Sequence, residues 1–263
     1  MVDDDAWAPL ADRFVDEEYA SVKGRVRTYV LHQQLMTHLP APPAAVLDIG
    51  GGAGNQSFPL ARLGYDVTLL DSSPAMLAKA QQRLAAEATD VRERLRLVHG
   101  DGADSTATGD QRFTAVLCHG VLMYLDSPDS LVASLCERTA TGGLVSVLAL
   151  NAGTLAVRPA LERRWADALA AFDATWERGV LGVDTRADTV QELSERLLAQ
   201  GVEPLSWYGV WLFSDWMELT ATDPDEVAAV ADVELEAGRR DPYRQLSRVF
   251  HVIGRRTEGQ DPR

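Results

Sequence analysis

The sequence predicts an α/β fold: a doubly wound, mostly parallel sheet of seven strands covered by helices, with a small helical cap inserted late in the chain. Three observations carry this expectation. Short β-rich apolar runs alternate with amphipathic stretches up to Leu150, glycines and prolines punctuate the boundaries, and a glycine-rich loop joins the first strand to the helix behind it.

Residues 20–39 read as an amphipathic helix, with Val22, Val26, Tyr29 and Val30 at helical spacing, stopped by Pro40, Pro42 and Pro43. Ala45–Ile49 is a buried strand ending in glycines. A helix over 55–63 ends at Gly64, a glycine suited to the left-handed position after a helix. Strand 66–70 follows, and Ser73-Pro74 caps a helix running to about Glu87. Leu95–Val98 and Thr114–Cys118 are the third and fourth strands; a helix at 128–139 and a Thr-Gly-Gly turn lead to the fifth, Leu144–Leu150. The rhythm then changes: 156–176 and 187–200 read as helices, 179–185 as loop, Leu205–Phe213 and Ser247–Gly254 as strands, and 224–238 as an acidic helix. The last two strands can close the sheet as an antiparallel edge. One domain over 1–263 is expected, with a helical segment at 1–40 and a cap insertion at 152–186.

Composition narrows the function classes. A chain of 263 residues, 46% hydrophobic and 24% charged, can bury a continuous core. Its longest apolar run, Leu144–Leu150, is interrupted by Ser146 and falls far short of the ~20 residues that cross a bilayer. The start, Met1-Val2-Asp3-Asp4-Asp5, is acidic, unlike a secretory signal. Two cysteines, Cys118 and Cys136, support neither a disulfide framework nor a zinc cage, and His32, His38, His99 and His251 lack metal-ligand spacing. A cytoplasmic protein without a membrane partner or a metal is expected. The formal net charge of −14 denies the chain a global field for phosphates, though a local basic patch could survive.

The chemistry-bearing segment is Asp48-Ile49-Gly50-Gly51-Gly52-Ala53-Gly54. Glycines allow a sharp turn and close approach by a ligand, and the following helix offers free amides. A dinucleotide loop needs Gly-x-Gly-x-x-Gly, which neither Gly50 nor Gly51 starts in full. The pattern that fits is Asp-x-Gly-x-Gly-x-Gly, which resembles the first motif of class I S-adenosylmethionine-dependent methyltransferases. Asp71 ends the second strand, where an acid accepts hydrogen bonds from a ribose diol, with Ser72 and Met76 just beyond it. Asp101-Gly102-Ala103 follows the third strand at the same sheet edge, where adenine would sit. A purely structural turn is the competing reading of the loop, and an N-cap acid that of Asp71.

The chain also resembles the bacterial tRNA 5-carboxymethoxyuridine methyltransferase family. The residues that carry the likeness are Tyr19-Ala20-Ser21-Val22-Lys23-Gly24-Arg25-Val26-Arg27, Val116–Leu122, Asn151-Ala152, Gly209–Phe213 and the tail from Asp241-Pro242-Tyr243 to His251-Val252. The resemblance implies S-adenosylmethionine as cofactor. It implies that Arg27 pairs with its methionine carboxylate, Gly50 and Gly51 touch the same moiety, Asp71 takes the ribose, Gly102 and Ala103 lie on the adenine side, and His119 rests against the cofactor. The cofactor set is thus Arg27, Asp48, Gly50, Gly51, Gly52, Asp71, Ser72, Met76, Asp101, Gly102, Ala103 and His119. On the acceptor side Tyr19, Asn151, Trp211, Tyr243 and Arg244 are expected. The family carries a Lys/Arg-rich cap and a late-strand arginine; here 176–186 reads Trp-Glu-Arg-Gly-Val-Leu-Gly-Val-Asp-Thr-Arg and the late-strand position is Trp211. Either tRNA or a small metabolite therefore fits as methyl acceptor, and a non-catalytic cofactor-binding protein is the third reading. A carboxylate acceptor needs no general base, whereas a hydroxyl or amine would need one, with His119, Tyr124 and Asp126 as candidates.

Overall fold

The computed structural model describes residues 8–9, 11–13, 20–179, 182–217, 219 and 223–257. Helix α1 (Val22–Met36) begins where the Ser21 hydroxyl accepts from the Gly24 amide. Then come β1 (Ala45–Ile49), α2 (Ser57–Arg62), β2 (Asp66–Asp71), α3 (Pro74–Ala85), α4 (Thr89–Arg94), β3 (Leu95–His99), β4 (Phe113–His119), α5 (Asp129–Arg138) and β5 (Thr139–Leu150). The later part comprises α6 (Val157–Leu161), α7 (Trp165–Ala171), β6 (Trp176–Arg178), β7 (Asp184–Arg186), α8 (Val190–Ala199), β8 (Val202–Val210), α9 (Phe213–Trp216), α10 (Pro224–Ala237) and β9 (Val249–Arg256).

The seven-stranded sheet has the order β3-β2-β1-β4-β5-β9-β8. The first five strands run parallel, and β9 lies antiparallel to both β5 and β8, so of the two closing strands only β9 runs against the rest. Strand order reverses beside β1, so β1 and β4 diverge at their carboxyl ends into a crevice, the place where open α/β sheets bind ligands. Helices cover both faces. On one face Leu131, Val132 and Leu135 of α5 and Leu193 and Leu197 of α8 pack on Leu47, Val116, Val145 and Phe250. On the other, Leu35 of α1 and Phe58, Leu60 and Ala61 of α2 pack on Val46, Leu69 and Leu117. Each such fully buried Leu or Phe contributes about 1.5–3 kcal/mol.

Several boundaries differ from expectation for identifiable reasons. The expected helix at 156–176 is two short helices, broken at Arg163, whose φ of 60° no α-helix accommodates. The expected loop at 179–185 joins a two-stranded hairpin, β6 with β7, too short to show period-two patterning. The Thr-Gly-Gly turn lies inside β5, where the pairing with β4 shifts register. Helix α3 stops at Ala85 and the separate α4 follows. Strand β8 is displaced toward Val202, because the chain leaves the sheet at Trp211, a residue with φ of 60°.

Candidate functional site

The crevice is built from the carboxyl ends of β1, β2, β3 and β4, with α1 laid alongside. Gln56 ties α1 to the glycine loop: its amide donates to the Thr28 carbonyl, and its carbonyl oxygen lies 3.1 Å from His32 Nδ1. The glycines in the loop serve different ends. A Cβ on Gly50 would meet Val121 Cγ2 at 2.3 Å, and one on Gly54 would meet Phe58 at 2.6 Å, so both are required by protein packing. Gly52, with φ of 55°, has nothing nearer than the Met76 methyl at 4.0 Å and opens onto free space. Helix α2 starts only at Ser57 and is six residues long, so the loop backbone rather than a helix end forms the cradle.

Asp71 is buried at the end of β2, with one carboxylate oxygen accepting from the Gly52 amide and the other from the Ser73 amide, each at 2.8 Å. These bonds aim the carboxylate across the loop. Asp48 sits behind it: its carboxylate accepts from the Ser57 hydroxyl at 2.6 Å, and burial pushes its pKa up to about 7. It braces the loop from beneath, since a Cβ on Gly51 would lie 2.9 Å from its Oδ2. Ser72 follows Asp71 and its carbonyl lies 3.1 Å from His99 Nε2, while Met76 is buried in the first turn of α3. Asp101 accepts from the Ala103 amide, and the Gly102 carbonyl accepts from Ser134, making a tight turn over Ile49. His119 ends β4, its Nε2 2.7 Å from the Ser146 hydroxyl; burial first, then His251 and Arg27, hold its pKa well below the usual histidine range. Arg27 reaches from α1 to the same edge: its Nη2 lies 3.2 Å from where a Cβ on Gly120 would be. The expected cofactor residues therefore meet around one crevice.

A cleft enclosing about 950 Å³, part of it open solvent, adjoins Arg27 and Gly120 and is within the usual size of small-molecule sites. Lys23, Arg27, Arg158 and Arg248 line it, against the carboxylates Glu177 and Asp215. Asp215 is buried and is gripped by Lys23 and by Arg158, at 2.8 Å from the latter. Glu177, carried in on β6, pairs with Arg248. The Arg248 side chain is only 8% exposed, its Nη1 has no hydrogen-bond partner, and burial with repulsion from Arg158 pushes its pKa down to about 10. Trp211 forms one wall: its indole N–H donates to the Lys23 carbonyl, with Lys23 Nζ 4.6 Å and Arg27 5.3 Å from its ring.

The other expected acceptor residues lie elsewhere. Tyr19 is outside the described residues. Asn151 is buried at the end of β5 with its amide on the Gln245 and Ser247 carbonyls, a brace between chain segments. Tyr243 is half exposed beside Phe213, and Arg244 pairs with Asp241 and stacks on Trp207; neither lines the cleft. Sequence reasoning missed Lys23, Arg158, Glu177, Asp215 and Arg248. Only Lys23, inside the Tyr19–Arg27 segment, carried a signal. The cationic side chains of this cleft come from α1 (Lys23 and Arg27), from α6 within the cap (Arg158) and from Arg248 just before β9, not from 176–186 or position 211.

The fold and crevice define a class I methyltransferase architecture, and the comparisons with known proteins agree. Residues 46–143 match the methyltransferase domain family. The tRNA 5-carboxymethoxyuridine methyltransferase of Escherichia coli (strain K12) is 27% identical over 255 residues, covering 96% of this chain and 96% of that protein. The CcbJ methyltransferase from Streptomyces caelestis shares the fold with a TM-score of 0.61 at 20% identity, covering 96% and 97% of the two chains. Magnesium protoporphyrin IX methyltransferase from Synechocystis PCC 6803, with bound S-adenosylhomocysteine, does so with 0.62 at 14% identity, covering 96% and 97%. The chain is an S-adenosylmethionine-dependent methyltransferase. Its likeness to the tRNA 5-carboxymethoxyuridine enzymes runs through nearly its whole length.

The residues present fit that cofactor: with open space over Gly52, the oriented Asp71 carboxylate and the Gly102-Ala103 turn would hold its adenosine, and Arg27, at the cleft end, would meet its carboxylate. When bound, S-adenosylmethionine supplies a methyl group already activated on a sulfonium. The chain's task is to orient the nucleophile and exclude water.

Proposed function

We propose that the protein methylates a carboxylate oxygen of an anionic acceptor, with the carboxymethoxy group of a modified wobble uridine in tRNA as its foremost substrate. The observation that carries this reading is the buried, incompletely bonded Arg248 guanidinium in the cleft wall. A buried donor left unpaired costs about 1–3 kcal/mol, and an arriving carboxylate removes that cost with a charge-assisted bond. Charge balance supports the same acceptor: four cationic side chains line the cleft against two carboxylates. Arg27 is reserved for the cofactor's carboxylate, leaving Lys23, Arg158 and Arg248 for Glu177, Asp215 and a further anion. A carboxylate is ionised at neutral pH, so Arg248 need only hold it in line, and no proton is removed. Trp211 offers its indole as a flat wall for a pyrimidine ring.

The net charge of −14 and the acidic Glu177 on the cap favour a second acceptor on the same chemistry, a small carboxylic acid. One assay separates the outcomes. Labelled methyl transfer is measured to tRNA lacking the terminal methyl ester and to a panel of small carboxylic acids, and the product is treated with mild alkali. An ester releases labelled methanol. A product stable to alkali, as from an amine or phenol, overturns the carboxylate reading.

A further inference from the structure

A buried chain of hydrogen bonds runs from the crevice into the core. His119 Nε2 lies 2.7 Å from Ser146 Oγ, which lies 2.7 Å from His251 Nε2. His251 Nδ1 lies 3.0 Å from Gln34 Oε1, and Gln34 Nε2 donates to the Gly209 carbonyl at 2.9 Å. The last bond decides all the others. Because the Gln34 amide nitrogen is spent on a carbonyl, its oxygen faces His251 and can only accept, so His251 Nδ1 carries the proton. Burial and the nearby His38 hold the His251 pKa down to about 3, so the ring is neutral and its Nε2 accepts. Ser146 therefore donates its hydroxyl proton to His251 and accepts from His119 Nε2–H. What remains on His119 is a bare Nδ1, a buried lone pair with no partner.

Ser146 pairs in register with Leu117, two residues before His119 on β4, so Nε2 is anchored toward the amino side of the sheet. The two imidazole nitrogens point away from one another, so with Nε2 held on Ser146 the buried Nδ1 is on the side of the ring away from that anchor. Arg27 stands at the same edge, its Nη2 3.2 Å from where a Cβ on Gly120, the residue after His119, would be. A guanidinium beside a bare lone pair is complementary to an α-amino acid, whose carboxylate and ammonium hang from one carbon. We propose that Ser146 and His251 are positioning residues that lock His119 in the Nε2–H tautomer, so that its Nδ1 accepts from the α-ammonium of the cofactor's amino-acid moiety. The inference rests on the cofactor alone and is independent of the acceptor. Gln34, on α1, sets the polarity of the whole chain.

The test is binding, not turnover. Dissociation constants are measured by calorimetry for S-adenosylhomocysteine and for its analogue lacking the α-amino group. Ser146→Ala is expected to weaken the first about tenfold and leave the second unchanged, and Ser146→Thr, which keeps the hydroxyl, to restore binding. Nitrogen NMR of the wild-type protein, with His119 assigned through His119→Asn, is expected to show a protonated Nε2 and a bare Nδ1. Equal weakening of both ligands, or a protonated Nδ1 on His119, overturns the proposal.

Discussion

Replacing Asp48 by Asn should make the protein's stability less dependent on pH, and the size of the effect follows from where this carboxyl sits. Asp48 is 3% exposed beneath the glycine loop, and its burial raises the pKa from 3.8 to about 7, against the opposing Ser57 hydrogen bond. The unfolded chain loses this proton near 3.8 and the folded chain near 7. Between those values the unfolded state is favoured as pH rises, so the stability this group allows is full below 3.8 and is lost as pH climbs through 7. The complete loss is on the order of 4 kcal/mol at 1.36 kcal/mol per unit. Asparagine keeps an oxygen for the Ser57 hydroxyl and titrates nowhere. Any local packing cost of the amide is independent of pH and cancels in a difference. Urea unfolding of both proteins at pH 5 and pH 8 should show the variant gaining about 2–3 kcal/mol relative to wild type between the two. A stability difference that stays constant across that range would refute the reasoning.

Asp71→Ala should weaken cofactor affinity by about 1–3 kcal/mol in a calorimetric titration, the usual scale for stranding a buried polar partner; unchanged affinity removes Asp71 from the site. Gly50→Ala forces a side chain into the left-handed region and against Val121, and should abolish cofactor binding while costing at least about 1 kcal/mol of stability by urea unfolding. Arg248→Met should raise KM for a carboxylate acceptor about 10- to 100-fold while leaving the cofactor dissociation constant unchanged. His251, held at about 3 when folded against 6.5 when unfolded, contributes stability that is complete above 6.5 and lost as pH falls toward 3. His251→Gln should flatten that acid limb relative to wild type in unfolding experiments.

The residues that gather at the crevice were legible because their signals are local. Ala45–Ile49 is a β-rich run that ends in glycines, Asp71 terminates the next such run, and Ser73-Pro74 marks the helix start within three residues. The cleft proposed for the acceptor is assembled from long-range partners. Arg248 falls inside the expected strand Ser247–Gly254 with no local signal of a ligand role; only the fold brings it to Glu177 and Asp215, 71 and 33 positions away. Asn151, Tyr243 and Arg244 read as acceptor contacts through the family likeness, yet Asn151 satisfies carbonyls of the segment before β9 and Arg244 is consumed by Asp241 and Trp207. The break at Arg163 has no glycine or proline to announce it, which is why one long helix was expected there. Trp211 was legible as an aromatic at the sheet margin, though not its positive φ, which turns the indole onto Lys23 and Arg27.

Strand β9 is the last strand made, yet it lies between β5 and β8. Arg248 directly precedes it and His251 lies within it, so the buried cation of the cleft and the inner end of the histidine hydrogen-bond chain are carried by one segment. A chain ending before β9 therefore keeps the residues of the glycine loop but lacks both of these groups.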